Sequence, residues 1–444
     1  MPRLLSPNFR LLGAGLVFLA QVNLAPAQGD RSAQLDEILA QNRSLLDQVQ
    51  QQQKQINDLR QRLDELKAPA AQPVATAPTP RAEPAAFVPV ENTLLRSARE
   101  IRVSGEVGLA FFSTGAKGAF PNSEFRVDDA KLFLESPVWK NVYVFTGLNL
   151  VTREAEDEYF EVGELYADVE DLFVAGRDQR LSLRIGRFNI PFGEEYQYRD
   201  VMNNPLIAHS VADLWGTDSG IQIYGTFGQF RYNLAVQNGG DQALRDYHKD
   251  KSVTARIGFA PTKSLSVSAS GHRTGKLDTV NDFFSNIWFG GGFFGALGPK
   301  ATTPTFQAEL LEFDANWQWK TGHLNSAAGF VKFSDANTAG DDSRRMNYFS
   351  LEAVQQIDER FYGAARYSEV RAPGGYPLVG HGNFGQYYFG PRTENLHRMT
   401  LGLGYRFADP LVWKLDYSWE EGRLSNGKRR QQEDMLATEI GLKF

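Results

Sequence analysis

From about residue 100 to the C-terminus, apolar and polar positions alternate with a period of two. In residues 101–111 the odd positions are apolar or Gly and the even ones polar or small. The same alternation recurs in 142–150, 181–185, 232–236, 255–259, 399–407 and 413–419, and it closes the chain in 436–444. Such runs predict strands whose two faces meet different environments. Short turn signals fall at 136–141, Gly228-Gln229, 260–263, Thr321-Gly322, Asp358-Glu359 and 408–410. Longer polar or Gly-rich stretches lie between them, notably 189–216, 273–304 and 370–394. Short turns on one rim alternating with long loops on the other predict an all-β fold, an antiparallel transmembrane β-barrel of about sixteen strands over residues 100–444. Trp139 and Trp413, beside short turns, fit an aromatic girdle at a membrane interface. The structural alternative is a soluble β-sandwich or propeller. It would gather rows such as Leu401, Leu403, Tyr405 and Phe407 into one common core and leave polar faces outside.

The first hundred residues follow other periods. Arg3 and Arg10 precede an apolar stretch over 11–20, and Ala25-Pro26-Ala27 supplies small residues for cleavage. Residues 1–27 therefore read as an export signal, its apolar region too short to span a bilayer. Residues 28–67 read as a coiled-coil helix in the periplasm. Heptads counted from Leu35 place Leu35, Asn42, Val49, Ile56 and Leu63 at a, and Ile38, Leu45, Gln52, Leu59 and Leu66 at d. A single helix docked on the barrel is the alternative, and the a and d residues leave dimer and trimer open. Residues 68–99 are a linker rich in Pro and Ala, extended and semi-rigid.

Composition changes this picture in two places. Mean hydropathy is −0.38 and 23% of residues are charged, so a hydropathy scan reads a soluble chain. Yet the 31 Phe, 16 Tyr, 7 Trp and 41 Gly suit a barrel with a lipid face and a wet lumen. A net charge of −6 gives no warrant for nucleic-acid binding, and the absence of Cys excludes disulfides and thiolate chemistry. The six His lack the spacing of a metal site. The stretch 216–220 has the look of a serine-nucleophile segment but begins a strand. No enzyme, cofactor or metal is expected. With the apolar members of each alternating pair facing lipid, Arg102, Arg184, Arg231, Arg256, Arg398, Arg406, Lys414 and Lys443 face water, together with Glu106, Asp416 and Glu439.

Residues 183–195, reading Leu-Arg-Ile-Gly-Arg-Phe-Asn-Ile-Pro-Phe-Gly-Glu-Glu, are followed by Tyr198-Arg199-Asp200 and Pro205. This segment resembles the phosphate-selective porin O and P family, whose members carry a Gly-basic-Phe and then a Pro-Phe-Gly-x-Glu motif after a strand. Phe125-Arg126 with Ala130-Lys131-Leu132 is similar to that family's basic second strand, and Asp218-Ser219-Gly220-Ile221-Gln222 to its next strand. Phe444, behind Leu436, Ile440 and Leu442, is similar to the C-terminal signal of barrel assembly. The resemblance implies a trimeric outer-membrane porin, a water-filled channel in contact with outer-membrane lipid that passes small hydrophilic solutes or ions, phosphate or other anions among them. It adds Arg126 and Lys131 to the candidate pore lining. It also implies that the loop 189–216 folds inward, making Arg187, Pro191, Phe192, Gly193, Glu194, Glu195, Arg199, Asp200 and Asp213 the candidate constriction set. Asp128 and Asp129 stand in the stretch that is basic in the family, and residues 101–444 carry 36 Lys and Arg against 43 Asp and Glu. Two other readings remain: an outer-membrane anchor tethering the envelope through a coil that binds peptidoglycan, and a barrel enzyme.

Overall fold

The structure, a computed structural model, describes residues 101–152, 160–176, 178–239, 246, 249–278, 304–335 and 343–444. The export signal, the coil and the linker all lie outside the described residues. Among the described residues there are sixteen long strands: β1 (Arg102–Thr114), β2 (Glu124–Trp139), β3 (Val142–Val151), β4 (Glu161–Ala175), β5 (Gln179–Asn189), β6 (Thr217–Phe227), β7 (Phe230–Gln237), β8 (Ser252–Phe259), β9 (Leu265–Arg273), β11 (Thr305–Trp319), β12 (Gly322–Asp335), β13 (Arg344–Gln356), β14 (Phe361–Tyr376), β15 (Thr393–Ala408), β16 (Leu411–Leu424) and β18 (Met435–Lys443). Two two-residue strands, β10 (Leu277–Asp278) and β17 (Arg429–Arg430), extend the long loops.

Every long strand pairs antiparallel with its neighbours. β18 pairs with β1, Leu109 opposite Ile440, and this closes the sheet into a barrel. Closure leaves no long edge unpaired, the condition under which strands can cross a membrane. Burial follows the alternation in the inverted sense. On β15, Leu401 and Leu403 are 44% and 47% exposed, whereas Arg398 and Thr400 are 5% and 1% exposed. On β16, Trp419 faces out while Ser418 and Glu420 are buried inside. A soluble sandwich would show the reverse, so this inversion decides against it.

The short connections β2–β3, β4–β5, β6–β7, β8–β9, β11–β12, β13–β14 and β15–β16 share one rim with both ends of the barrel, where Gly105 N donates to Phe444 O at 3.0 Å. Gly228 (φ 61°) and Asn141 (φ 58°) take the left-handed position in two of these turns. Aromatics ring this rim. Trp317 lies 5.4 Å from Trp319, Phe230 4.8 Å from Phe259 and Phe361 4.5 Å from Tyr405, beside Trp139 and Trp413.

Three local expectations change. Ser136 and Pro137 belong to β2, which runs to Trp139. The proline sits where the pairing with β3 slips, so its missing N–H leaves no gap in a regular ladder. The turn after β4, at Gly176 (φ 65°), was not among the expected turns. β14 continues to Tyr376 through Gly374 and Gly375 (φ 82° and 84°) and takes the start of the expected loop 370–394.

Candidate functional site

The longest fully described connection, between β5 and β6, packs against the inner faces of distant strands. At its base Ile190 N donates to Gly216 O at 2.8 Å. Gly193 takes a left-handed φ of 70°, and a Cβ there would stand 2.3 Å from Glu312 Oε1 on β11, so a larger residue would be strained and would have to displace that carboxylate. A 3₁₀ turn, Glu195–Gln197, follows, and Asp200 Oδ1 then accepts from Met202 N at 3.0 Å and Asn203 N at 2.8 Å. Beyond it Val201, Met202, Leu206, Ile207, Ala208, Val211, Ala212 and Leu214 are buried. Met202 and Leu206 pack with Val354, Tyr362, Ala364 and Val412. Ile190, Phe192, Val211 and Leu214 pack with Leu310, Tyr348 and Val370.

Polar groups pin the same segment to the wall. Asp416 Oδ2 accepts from Ile207 N at 2.7 Å and Ala208 N at 3.0 Å, and Val211 N donates to Ser368 Oγ at 3.0 Å. Gly193 N donates to Ser270 Oγ at 3.1 Å. Arg366, itself paired with Glu352, donates to Ala208 O at 2.6 Å and Asn204 Oδ1 at 2.9 Å. These partners lie on β9, β13, β14 and β16, across the lumen from the strands that bear the loop.

The candidate residues divide by what they hold. Lys414 lies 2.6 Å from Glu439 and donates to Val201 O at 2.9 Å. Arg398 pairs with Glu420 and donates to His209 O at 2.7 Å, and Arg256 pairs with Glu194. These three therefore hold the loop as well as the wall. Lys131 lies 2.7 Å from Asp129 and 3.6 Å from Glu106. Arg184 lies 2.7 Å from Asp168, its guanidinium 4.1 Å above the Tyr166 ring. Arg126, near the long-loop rim, is 3.7 Å from Glu124. Arg102, Arg231 and Arg406 stand near the short-turn rim, Arg102 3.6 Å from Glu135 and Arg406 3.5 Å from Asp409 O. Arg187 lies on β5 rather than in the loop, buried against Glu161 and Gly163 O, each at 3.2 Å. Pro191 and Phe192 are buried, the Phe192 ring 6.4 Å from His272.

Within the loop, Asp213 accepts from Arg199 at 2.9 Å and lies 3.1 Å from His209 Nδ1, while Arg199 stacks 4.3 Å over Trp215. Burial alone would raise the Asp213 carboxyl, but Arg199 and then His209 outweigh it and hold it well below the usual carboxylate range. Glu195, which accepts from Ser210 Oγ at 2.7 Å, is pushed above its ordinary value by burial and then by the charge of Asp213.

Docking of the loop on one wall leaves an open cavity of about 630 Å³ against the other. Its charged lining comprises Glu106, Asp128, Asp129, Glu164, Asp200 and Glu439 facing Lys131, Arg199, Lys414 and Lys443. Aromatic lining was missed from sequence: Phe133 and Phe145 border this cavity, and Tyr196 and Trp215 come from the loop. In residues 131–135, Lys-Leu-Phe-Leu-Glu, apolar side chains occupy both faces, so period-two reading does not say which face holds the phenylalanine. Among the described residues no group of three or more His, Cys, Asp or Glu is placed to hold a metal ion.

The sequence matches no protein-family model and no curated protein. Among solved structures the chain is similar to the outer membrane channel DcaP of Acinetobacter baumannii, at 9% identity and a TM-score of 0.53, over 78% of this chain and 97% of that one. It is similar to OmpT, an outer membrane protein of Vibrio cholerae, at 10% identity and a TM-score of 0.52, with coverage of 78% and 97%. It is also similar to OprB of Pseudomonas putida, at 11% identity and a TM-score of 0.51, covering 80% and 96%. At such identities the likeness is one of fold: this chain is a closed, sixteen-stranded antiparallel β-barrel of the kind those outer-membrane proteins adopt.

Proposed function

We propose that the chain is an outer-membrane porin, a water-filled channel for passive diffusion of small hydrophilic solutes and ions, narrowed by the loop between β5 and β6. One observation carries this reading. The barrel exposes its apolar residues outward, buries ionisable ones inward, and keeps an open polar cavity beside a loop pinned across its lumen. A wet, charge-lined passage in a low-dielectric wall is what conduction requires.

Phosphate preference, which the family resemblance implies, would need cations free to replace an anion's hydration. Here Lys131, Arg199, Arg256, Arg398 and Lys414 each face a carboxylate within ion-pair distance. With the acidic excess of the cavity lining, this favours weak selectivity leaning toward cations over a phosphate channel. The test is reconstitution in a planar bilayer with the reversal potential read in a salt gradient. Stepwise conductance with a cation-leaning potential is expected. No conductance would refute the channel, and a strongly anion-selective potential would refute the charge reading.

For the first hundred residues the proposal is an export signal over 1–27, a periplasmic coil over 28–67 that reaches toward peptidoglycan, and a linker over 68–99. Vibrio cholerae OmpT is described in a trimer form, and three copies are proposed for this chain as well. A peptide of residues 30–67 should then sediment as a trimer, and a monomer at high micromolar concentration would sink that part.

A further inference from the structure

Strand register places Phe133 of β2, Phe145 of β3, Tyr166 of β4 and Tyr224 of β6 on the inner face, the same face as Lys131 and Arg184. All four rings are half-buried, and Phe133 and Phe145 border the open cavity. They form a nearly continuous surface. Phe133 and Phe145 lie 5.9 Å apart at 26° between ring planes, and Phe145 and Tyr166 lie 5.2 Å apart at 25°. Arg184 prolongs it, its guanidinium 4.1 Å over Tyr166 and 5.4 Å from Tyr224, while Asp168 holds Arg184 and accepts from the Tyr224 hydroxyl at 2.7 Å. From β2 to β6 are four inter-strand steps of about 4.8 Å, so the row extends roughly 19 Å. Because barrel strands tilt by about 35–45°, it climbs the wall obliquely.

We propose that this row is a saccharide-binding track in the channel. The inference rests on the channel reading above. A pyranose presents a flat face of C–H groups that stacks on an aromatic ring and a rim of hydroxyls that needs polar partners. The rings supply the first requirement. Asn149 and Glu164 on the loop side of the row, and the Arg184–Asp168 pair within it, supply the second. Charge argues against the other flat solute, an aromatic carboxylate: Asp129, Glu164 and Asp168 stand along the row, and its two cations, Lys131 and Arg184, are both already paired. A neutral ring with a hydroxyl rim meets no such repulsion.

The experiment uses the full chain in planar bilayers, reading ion current while maltohexaose or benzoate is added. Maltohexaose is expected to interrupt the current in the millimolar range and benzoate to leave it unchanged. The double variant Phe145→Ala with Tyr166→Ala, its folding verified by heat-modifiable migration on gels, should weaken the block about tenfold or more, and Phe145→Tyr should retain it. A parent channel that conducts ions and ignores maltohexaose, a double variant blocked as strongly as the parent, or a channel blocked by benzoate alone would each overturn the track. Absence of any ion current in the parent would overturn the channel and the track together.

Discussion

On the wall from β9 to β16, several inward side chains end in bonds to the loop; on the wall from β2 to β6, others border an open cavity. Ser270, Arg366, Ser368, Arg398, Lys414 and Asp416 each contact loop backbone. Phe133, Phe145 and Asn149 instead border the cavity, and Arg184 is held by Asp168 at the wall itself. Both walls follow the same alternation of apolar and polar residues. Their difference teaches that an inward polar residue is not automatically a selectivity residue. Where a loop docks, its charge is spent on desolvated backbone and contributes to rigidity. Where no loop docks, its side chain borders open space or pairs with a neighbour on the same wall.

Removing the docked loop should break the contrast most severely. Deletion of residues 194–212 is expected to raise single-channel conductance several-fold, because both walls would then face water; a conductance equal to the parent's would place the loop outside the conduction path. Next in size is Arg366→Ala. It leaves the buried Glu352 without its guanidinium, with Asn325 and His323 as remaining partners, and removes a donor from Ala208 O and Asn204 Oδ1. A cost of about 3–5 kcal/mol is expected for such a break, readable as a lower urea midpoint of the folded barrel. Arg184→Ala on the opposite wall should cost less stability and shift the reversal potential toward cations, since Asp168 loses its counter-charge. Equal stability losses in the two variants would erase the distinction between the walls.

Smaller effects sharpen it. Glu194→Gln with Glu195→Gln should move the reversal potential toward anions, because a charge in a narrow zone is less screened than one on a wide rim, where salt acts within about 8–10 Å. Acidification should act in the same direction through Glu195. Its carboxyl is raised in the fold, so the charged form is the strained one. Stability from its protonated form is fully present below about pH 4.3, the ordinary Glu value, and is lost as pH rises through the raised value. Asp213 is depressed, so its contribution is present above about pH 3.9, the ordinary Asp value, and is lost only as pH falls through its lowered value. As pH falls through the raised Glu195 value the loop should therefore stay docked, held by the still-charged Asp213, while selectivity drifts toward anions, a drift that Glu195→Gln should reduce. Deleting residues 28–90 behind the signal should change conductance least of all; loss of folded barrel would show that the N-terminal part is needed for barrel assembly.

Much of the fold was legible because a period of two survives translation into geometry. The strands around residues 399–419 were readable to within a few residues, since each outward Leu, Tyr or Trp alternates with an inward polar or small residue. Pro137 misled because proline usually marks a turn, whereas a slip in pairing lets it stay in β2. The turn at Gly176 went unread. Of the loop, length and motif showed that it was unusual. That Arg398 and Lys414 hold it was not readable, because their loop partners, His209 O and Val201 O, are 189 and 213 residues away in sequence and carry no side-chain signature.

The sequence by itself determined the closed antiparallel architecture of sixteen strands, the rim of short turns and the inversion of apolar and polar faces, because these depend on local alternation and turn chemistry. Only the tertiary structure decided which inward residues bond to the loop and which border the open cavity. It also turned Phe133 and Phe145, set among apolar neighbours on both faces, into a stacked row on the inner wall. The physical reason is that a strand's parity is set by the register of the strand beside it, and a loop's resting place by groups far apart in the chain that meet only when the barrel closes.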